Sequence, residues 1–198
     1  MDSYWREEVN HDFLDYLMAS WTYEEWDSRI SESGLVQRVL NRTGYFSDNA
    51  DLFQMPFEFQ DDKEFIMATL SYSGMFLANT SLRLQDDKEV VMAAVSNDGT
   101  ALRYASASLQ NNKEVVMAAV SFCGRALRYA SARFQDDKEV TLTAISLNGK
   151  CLKYVSERLR DNKEVALTSI STQGFNLKFV SNRLADDKEV VMVAVSNN

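Results

Sequence analysis

Few residues in this chain have the types and spacing that chemistry would need. His11 is the only histidine, and Cys123 and Cys151 are the only cysteines in 198 residues. Neither cysteine stands near a histidine in the sequence pattern, so no thiolate–imidazole pair is set up. The two do not form the paired spacing of a zinc or redox motif either. Free thiols in a reducing cytosol are the expected state. Acidic groups are plentiful, because an Asp-Asp-Lys-Glu theme recurs through the chain. A calcium loop alternates its acidic ligands around a glycine, whereas here two carboxylates are adjacent. Serine recurs in two series: Ser71, Ser96, Ser121, Ser146, Ser171 and Ser196, then Ser81, Ser106, Ser131, Ser156 and Ser181. A nucleophile would occur once, so serine in every copy points to structure, with the hydroxyl bonding a nearby carbonyl or turn. No catalytic residue, metal site or cofactor is expected.

The acidic theme identifies the elements that carry these residues. It occupies residues 61–64, 86–89, 111–114, 136–139, 161–164 and 186–189, at a constant spacing of 25. A fixed period in this range signals a repeat architecture, in which one unit cannot bury a core alone and must stack on its neighbours. In the unit 86–110, Asp86 and Glu89 ahead of Val90-Val91-Met92-Ala93-Ala94-Val95 read as a capping box. This first helix is expected over about residues 87–97. Gly74, Gly99, Gly124, Gly149 and Gly174 read as left-handed helix stops. A second, shorter helix is expected over about 100–108, burying Leu102, Ala105 and Leu109. The fold class is therefore all-α, an α/α solenoid of two-helix repeats spanning 49–198. The small series Thr69, Ala94, Ala119, Ala144, Ser169 and Ala194 suggests close helix approach.

Residues 1–48 depart from the theme and read as an irregular helical cap. Three helices are expected there, over about 7–18, 23–31 and 35–40, followed by a decayed half-repeat over 51–60 broken by Pro56. Residues 1–60 hold twelve Asp/Glu against four Lys/Arg, the whole net charge of −8, while residues 61–198 hold seventeen of each. Trp5, Trp21 and Trp26 also fall in this acidic segment. Terminal repeats are usually atypical because one face must be closed against water. The alternative is a docking surface for a basic partner, with tryptophan anchors and charge steering. At the other end, residues 186–198 supply one helix without its companion. That apolar layer offers a route to head-to-tail self-association.

Comparison of the copies separates fixed positions from drifting ones. Drift clusters around the glycine: Tyr72, Met75 and Phe76; Asn97, Asp98 and Thr100; Phe122, Cys123 and Arg125; Leu147, Asn148 and Lys150; Thr172, Gln173, Phe175 and Asn176. Loop tips along one edge of a solenoid can change without disturbing the core and commonly carry recognition. The candidate partner-binding residues are Trp5, Trp21 and Trp26 on the cap, and Tyr72, Phe76, Phe122, Arg125, Lys150 and Phe175 on the loop edge. A basic ladder also recurs as Arg103, Arg128, Lys153 and Lys178, and as Arg83, Arg133, Arg158 and Arg183. Nucleic acid would need a net positive stripe. The acidic caps cancel the charge, so ion pairs from ladder to cap are expected and nucleic acid is disfavoured. No apolar run approaches the length of a membrane span, and the N-terminus lacks the basic flank and apolar stretch of a secretory signal.

The stretch Asp-Asp-Lys-Glu-Val-Val-Met-Ala-Ala-Val-Ser-Asn-Asp-Gly-Thr-Ala-Leu-Arg-Tyr-Ala-Ser, residues 86–106, resembles a repeat family catalogued as a domain of unknown function. Members of that family occur in protists, algae, large viruses and intracellular bacteria that deliver effectors into such hosts. The resemblance covers about 49–198 and brings no catalytic residues with it. It implies a scaffold role in a cytosolic setting, the host cytosol for a delivered effector.

Overall fold

In a computed structural model of the protein, residues 60–71 and 73–197 are described. Every regular element among them is helical. The expected cap helices, most of the half-repeat before Gln60, Trp5, Trp21, Trp26 and Tyr72 lie outside the described residues.

Each repeat contains three helical pieces. A long α-helix comes first, as Lys63–Leu70, Lys88–Asn97, Lys113–Phe122, Lys138–Leu147, Lys163–Thr172 and Lys188–Ser196. A six-residue 3-10 helix follows, as Gly74–Asn79, Gly99–Tyr104, Gly124–Tyr129, Gly149–Tyr154 and Gly174–Phe179. A single-turn α-helix completes the unit, as Leu82–Gln85, Ala107–Gln110, Ala132–Gln135, Glu157–Arg160 and Asn182–Ala185. The expected second helix is thus divided in two. Ala105 takes an extended conformation (φ −66°, ψ 152°), and Ser106 restarts the chain as N-cap by accepting the Leu109 N–H. The second serine series therefore starts a helix; it does not end one.

The capping box is also displaced by one residue from its expected place. Asp87, not Asp86, caps the long helix, its carboxylate accepting the Glu89 and Val90 N–H groups. Asp62, Asn112, Asp137, Asn162 and Asp187 cap the other copies. Asp86 closes the preceding short helix instead. Glu89 is thereby freed from the box and pairs with Lys63 of the preceding unit at 2.7 Å.

Long helices pack on long helices of the next unit, and 3-10 helices on 3-10 helices. The result is a helical repeat stack, an α-solenoid. Val90, Val91, Ala94 and Val95 fill the interface from the long helix, and Ala101, Leu102, Ala105 and Leu109 fill it from the rest of the unit; all are buried. The glycines serve this stacking and are not left-handed stops: Gly74, Gly99, Gly124 and Gly149 all lack a left-handed φ. A Cβ on Gly74, Gly99 or Gly124 would run into the carbonyl oxygen of Ala94, Ala119 or Ala144 in the next unit. The small series and the glycine series are thus two halves of one close approach, as the small side chains suggested.

Candidate functional site: the face of the 3-10 helices

The acidic theme is consumed in joining layers. Lys–Glu pairs cross all five successive interfaces: Lys63–Glu89, Lys88–Glu114, Lys113–Glu139, Lys138–Glu164 and Lys163–Glu189, at 2.5–2.7 Å. The first residue of five of the themes, Asp61, Asp86, Asn111, Asp136 and Asp161, accepts the serine hydroxyl of the next unit, from Ser81, Ser106, Ser131, Ser156 and Ser181. The Nε–H groups of Arg83, Arg158 and Arg183 add bifurcated bonds to both carboxylate oxygens of Asp61, Asp136 and Asp161, and Nη2 donates to the same residue's backbone carbonyl. These hydroxyl and guanidinium donors hold the three carboxyls below the usual aspartate range. The same serines donate a backbone bond to the preceding short helix, for example Ser131 N–H to Gln110 O at 3.0 Å. Ladder-to-cap pairing is therefore found for this arginine series. Arg133 differs because its partner position is the neutral Asn111, and it lies over the Phe134 ring.

The other basic series behaves differently from expectation. Arg128, Lys153 and Lys178 make no ion pair with a described residue; each lies against the following ring, of Tyr129, Tyr154 or Phe179, at 4.8–5.6 Å from its centroid. Arg103 stacks likewise on Tyr104 at 4.3 Å. The cause is the local helix. In a 3-10 helix residues i and i+3 eclipse one another, so Arg125 shares a side with Arg128, Lys150 with Lys153, Phe175 with Lys178 and Thr100 with Arg103. Burial repeats with the same period: in Gly124–Tyr129, Arg125 and Arg128 are exposed while Gly124, Ala126 and Leu127 are buried. The five 3-10 helices contain six cations and no carboxylate. The acids sit on the long helices, the single-turn helices and the caps, with Asp98 alone among them capping a 3-10 helix, so a repeat region that is neutral in sum is segregated in space.

Four of the loop-edge residues meet at this face. Phe122, 56% exposed, ends a long helix directly before the 3-10 helix carrying Arg125; Leu147, also 56% exposed, stands in the same place before Lys150. Phe175 is 74% exposed in the first turn of its 3-10 helix. Arg125 and Lys150 are exposed and make no ion pair with a described residue. Arg125 lies beside the Cys123 sulfur, which holds its guanidinium above the ordinary arginine range. Cys123 and Cys151 are both free thiols. Burial pushes the Cys151 thiol up to about 11.

Phe76 does not belong to the edge. It is 6% exposed and occupies the core series of Ala101, Ala126, Cys151 and Asn176, all buried. Its position points inward on the 3-10 helix, one residue beyond the outward position of Thr100, Arg125 and Lys150. Arg128, Lys153 and Lys178 are the face residues that sequence reading assigned elsewhere. The signal for them was the i, i+3 spacing of Arg125/Arg128 and Lys150/Lys153 around an invariant leucine.

No group of His, Cys, Asp and Glu among the described residues could hold a metal. No described helix is long and apolar enough to cross a membrane. The family model described as "Domain of unknown function (DUF4116)" matches three times in tandem, over residues 52–110, 112–160 and 162–198. No curated protein and no solved structure matches the chain.

Proposed function

The chain belongs to this family of unknown function, DUF4116, and from that premise we propose that it is a non-catalytic protein-binding scaffold. Its recognition surface is the face of the 3-10 helices, rimmed by Phe122, Leu147 and Phe175. The observation that carries this reading is the contrast between the Lys–Glu pairs, which close between layers, and Arg125, Arg128, Lys150, Lys153 and Lys178, which face solvent with no carboxylate partner among the described residues. Exposed, varying positions on a rigid repeat frame are where partner choice can be set without cost to the core. The setting in this reading is a cytosol, that of the host if the chain is a delivered effector, with Cys123 and Cys151 as thiols. The acidic N-terminal segment with Trp5, Trp21 and Trp26 is the competing surface, suited to a basic partner.

Capture from native cells with three full-length chains separates these surfaces: the unchanged chain, Phe122→Ser/Phe175→Ser, and Trp5→Ala/Trp21→Ala/Trp26→Ala. Loss of the captured protein in the phenylalanine variant alone is the expected result. Loss in the tryptophan variant alone moves recognition to the N-terminal segment, and no specific capture by any chain defeats the scaffold reading.

A second reading has its own observation. On the last long helix, Val195 is 67% exposed, whereas the equivalent Val95, Val120, Ile145 and Ile170 are fully buried. Met192 beside it is 59% exposed. In this reading the apolar face of Val195 and Met192 joins copies head to tail. Solution mass across a concentration series tests it: growth of the mass that Val195→Asp abolishes supports assembly, and a monomer at high concentration rules it out.

A further inference from the structure

Resting on the scaffold reading, we infer that the ligand of the 3-10 helix face is an extended acidic segment of a partner protein carrying apolar anchors. Charge complementarity is the first argument. Arg125 and Arg128 on one 3-10 helix, and Lys150 and Lys153 on the next, form a block of four cations across two adjacent layers. No carboxylate lies on either helix. The two cations of each helix stand one 3-10 turn apart, ~6 Å, and adjacent layers are ~8–10 Å apart. A strand-like segment at ~3.3 Å per residue brings alternate carboxylates into this spacing.

The second argument separates protein from nucleic acid. Single-strand binding needs free aromatic faces on which bases stack. Tyr129, Tyr154 and Phe179 are half-buried, and each has its own cation over the ring. Phe122 and Phe175 do stand free at the rim of the cationic block, but Leu147, in the layer between them, has no ring, so no continuous stacking row follows the cations; all three side chains are more than half exposed. Acidic residues for the block and bulky apolar ones for the rim describe one peptide chemistry.

A random peptide library displayed on phage, selected on the immobilised full-length chain, tests the inference. Enriched peptides should combine Asp/Glu with Phe, Leu or Trp. A synthetic copy of the strongest should lose at least ~10-fold in affinity on Arg125→Glu/Lys150→Glu and weaken further as salt rises. Circular dichroism and thermal unfolding of that variant should match the unchanged chain, since both residues are exposed and neither is in an ion pair with a described residue. Enrichment of neutral or basic peptides that bind the charge-reversed chain equally well, yet are lost on Phe122→Ser/Phe175→Ser, overturns the acidic ligand and leaves the scaffold reading standing. Failure to enrich any peptide counts against both. Tighter binding of a mixed-sequence single-stranded RNA oligonucleotide than of any peptide, lost on the same charge reversal, overturns the inference in favour of nucleic acid.

Discussion

The repeats present two edges built on opposite plans. On the edge of the acidic theme, Asp, Lys, Glu, Ser and Arg satisfy one another across layers, as in Lys113–Glu139 at 2.6 Å and Arg158–Asp136 at 3.1 Å. On the face of the 3-10 helices, Arg125, Lys150, Arg128 and Lys153 meet sulfur, ring or solvent and no carboxylate among the described residues. The theme edge keeps nearly the same residues from copy to copy, while the outward position of the 3-10 helix runs through Met75, Thr100, Arg125, Lys150 and Phe175. A residue whose partner lies in the next layer must change in step with that partner. A residue facing solvent has no such tie. The frame is therefore repetitive because it is reciprocal, and the face is varied because it is not.

The largest expected effect tests where frame ends and face begins. Phe76→Ala, in the buried series, should lower stability by about 3–5 kcal/mol in chemical denaturation. A loss under ~1 kcal/mol would show that Phe76 was never core, and would return it to the edge.

Gly124→Ala comes next. The new methyl has to displace the Ala144 carbonyl of the adjoining unit, and overpacking of that kind costs about 1–3 kcal/mol. Because each unit contacts mainly its neighbours, the damage should also divide unfolding into two steps. A single transition at the original midpoint would mean that the glycine series is not a contact series.

The pH profile should follow the theme edge alone. Asp61, Asp86, Asp136 and Asp161 are held below 3.8, first by serine hydroxyls. Lys63, Lys113 and Lys163 are held above 10.5, first by Asp87, Glu139 and Glu189. A depressed carboxylate stabilises the fold above its unfolded pKa and loses that contribution as pH falls through the folded value. A raised lysine stabilises below its unfolded pKa and loses it as pH rises through the folded value. Thermal midpoints should therefore be level between about pH 5 and 9, falling below about 4 and above about 10.5. Arg125→Glu/Lys150→Glu should leave this profile in place. A changed profile in that variant would show that the two edges are coupled.

How much of this was legible in the sequence follows from what each residue answers to. The period, the long helices and the buried stripe of Leu102, Ala105 and Leu109 were readable, because they depend on patterns within one unit. The exchanged roles of Asp86 and Asp87 were not. Both lie close enough to Glu89 to imitate a cap, and the difference is that Asp86 closes the previous helix and receives Ser106 from the next unit. Nor did the break at Ala105 have a proline or glycine to mark it; only the invariant Ser106 hinted at a new N-cap. Phe76 misled because it is large in a series otherwise made of Ala101, Ala126, Cys151 and Asn176, whose small or uncharged character was the better guide. The face itself was half visible: Arg125 and Lys150 stood out by drifting, while Arg128 and Lys153 were hidden by recurring.

A smaller effect distinguishes the two aspartates directly. Asp137→Ala removes the acceptor of the Glu139 and Val140 N–H groups, at 2.9 and 3.1 Å, and should cost about 1 kcal/mol. Asp137→Asn should cost only a few tenths of that, since Asn112 and Asn162 cap their own copies. If Asp136→Asn proved the milder change and Asp137→Asn the harsher one, the assignment of cap and interlayer acceptor would be reversed.

The smallest expected effect is the most telling for the face. Phe122→Ser and Phe175→Ser remove two large apolar side chains, yet stability should shift by no more than ~0.5 kcal/mol, because more than half of each already meets water. Two phenylalanines that contribute so little to the fold while exposing so much apolar surface have no structural reason to be there. Losses above ~1 kcal/mol would give them one, and the division between a self-satisfied edge and an open face would then fail at its rim.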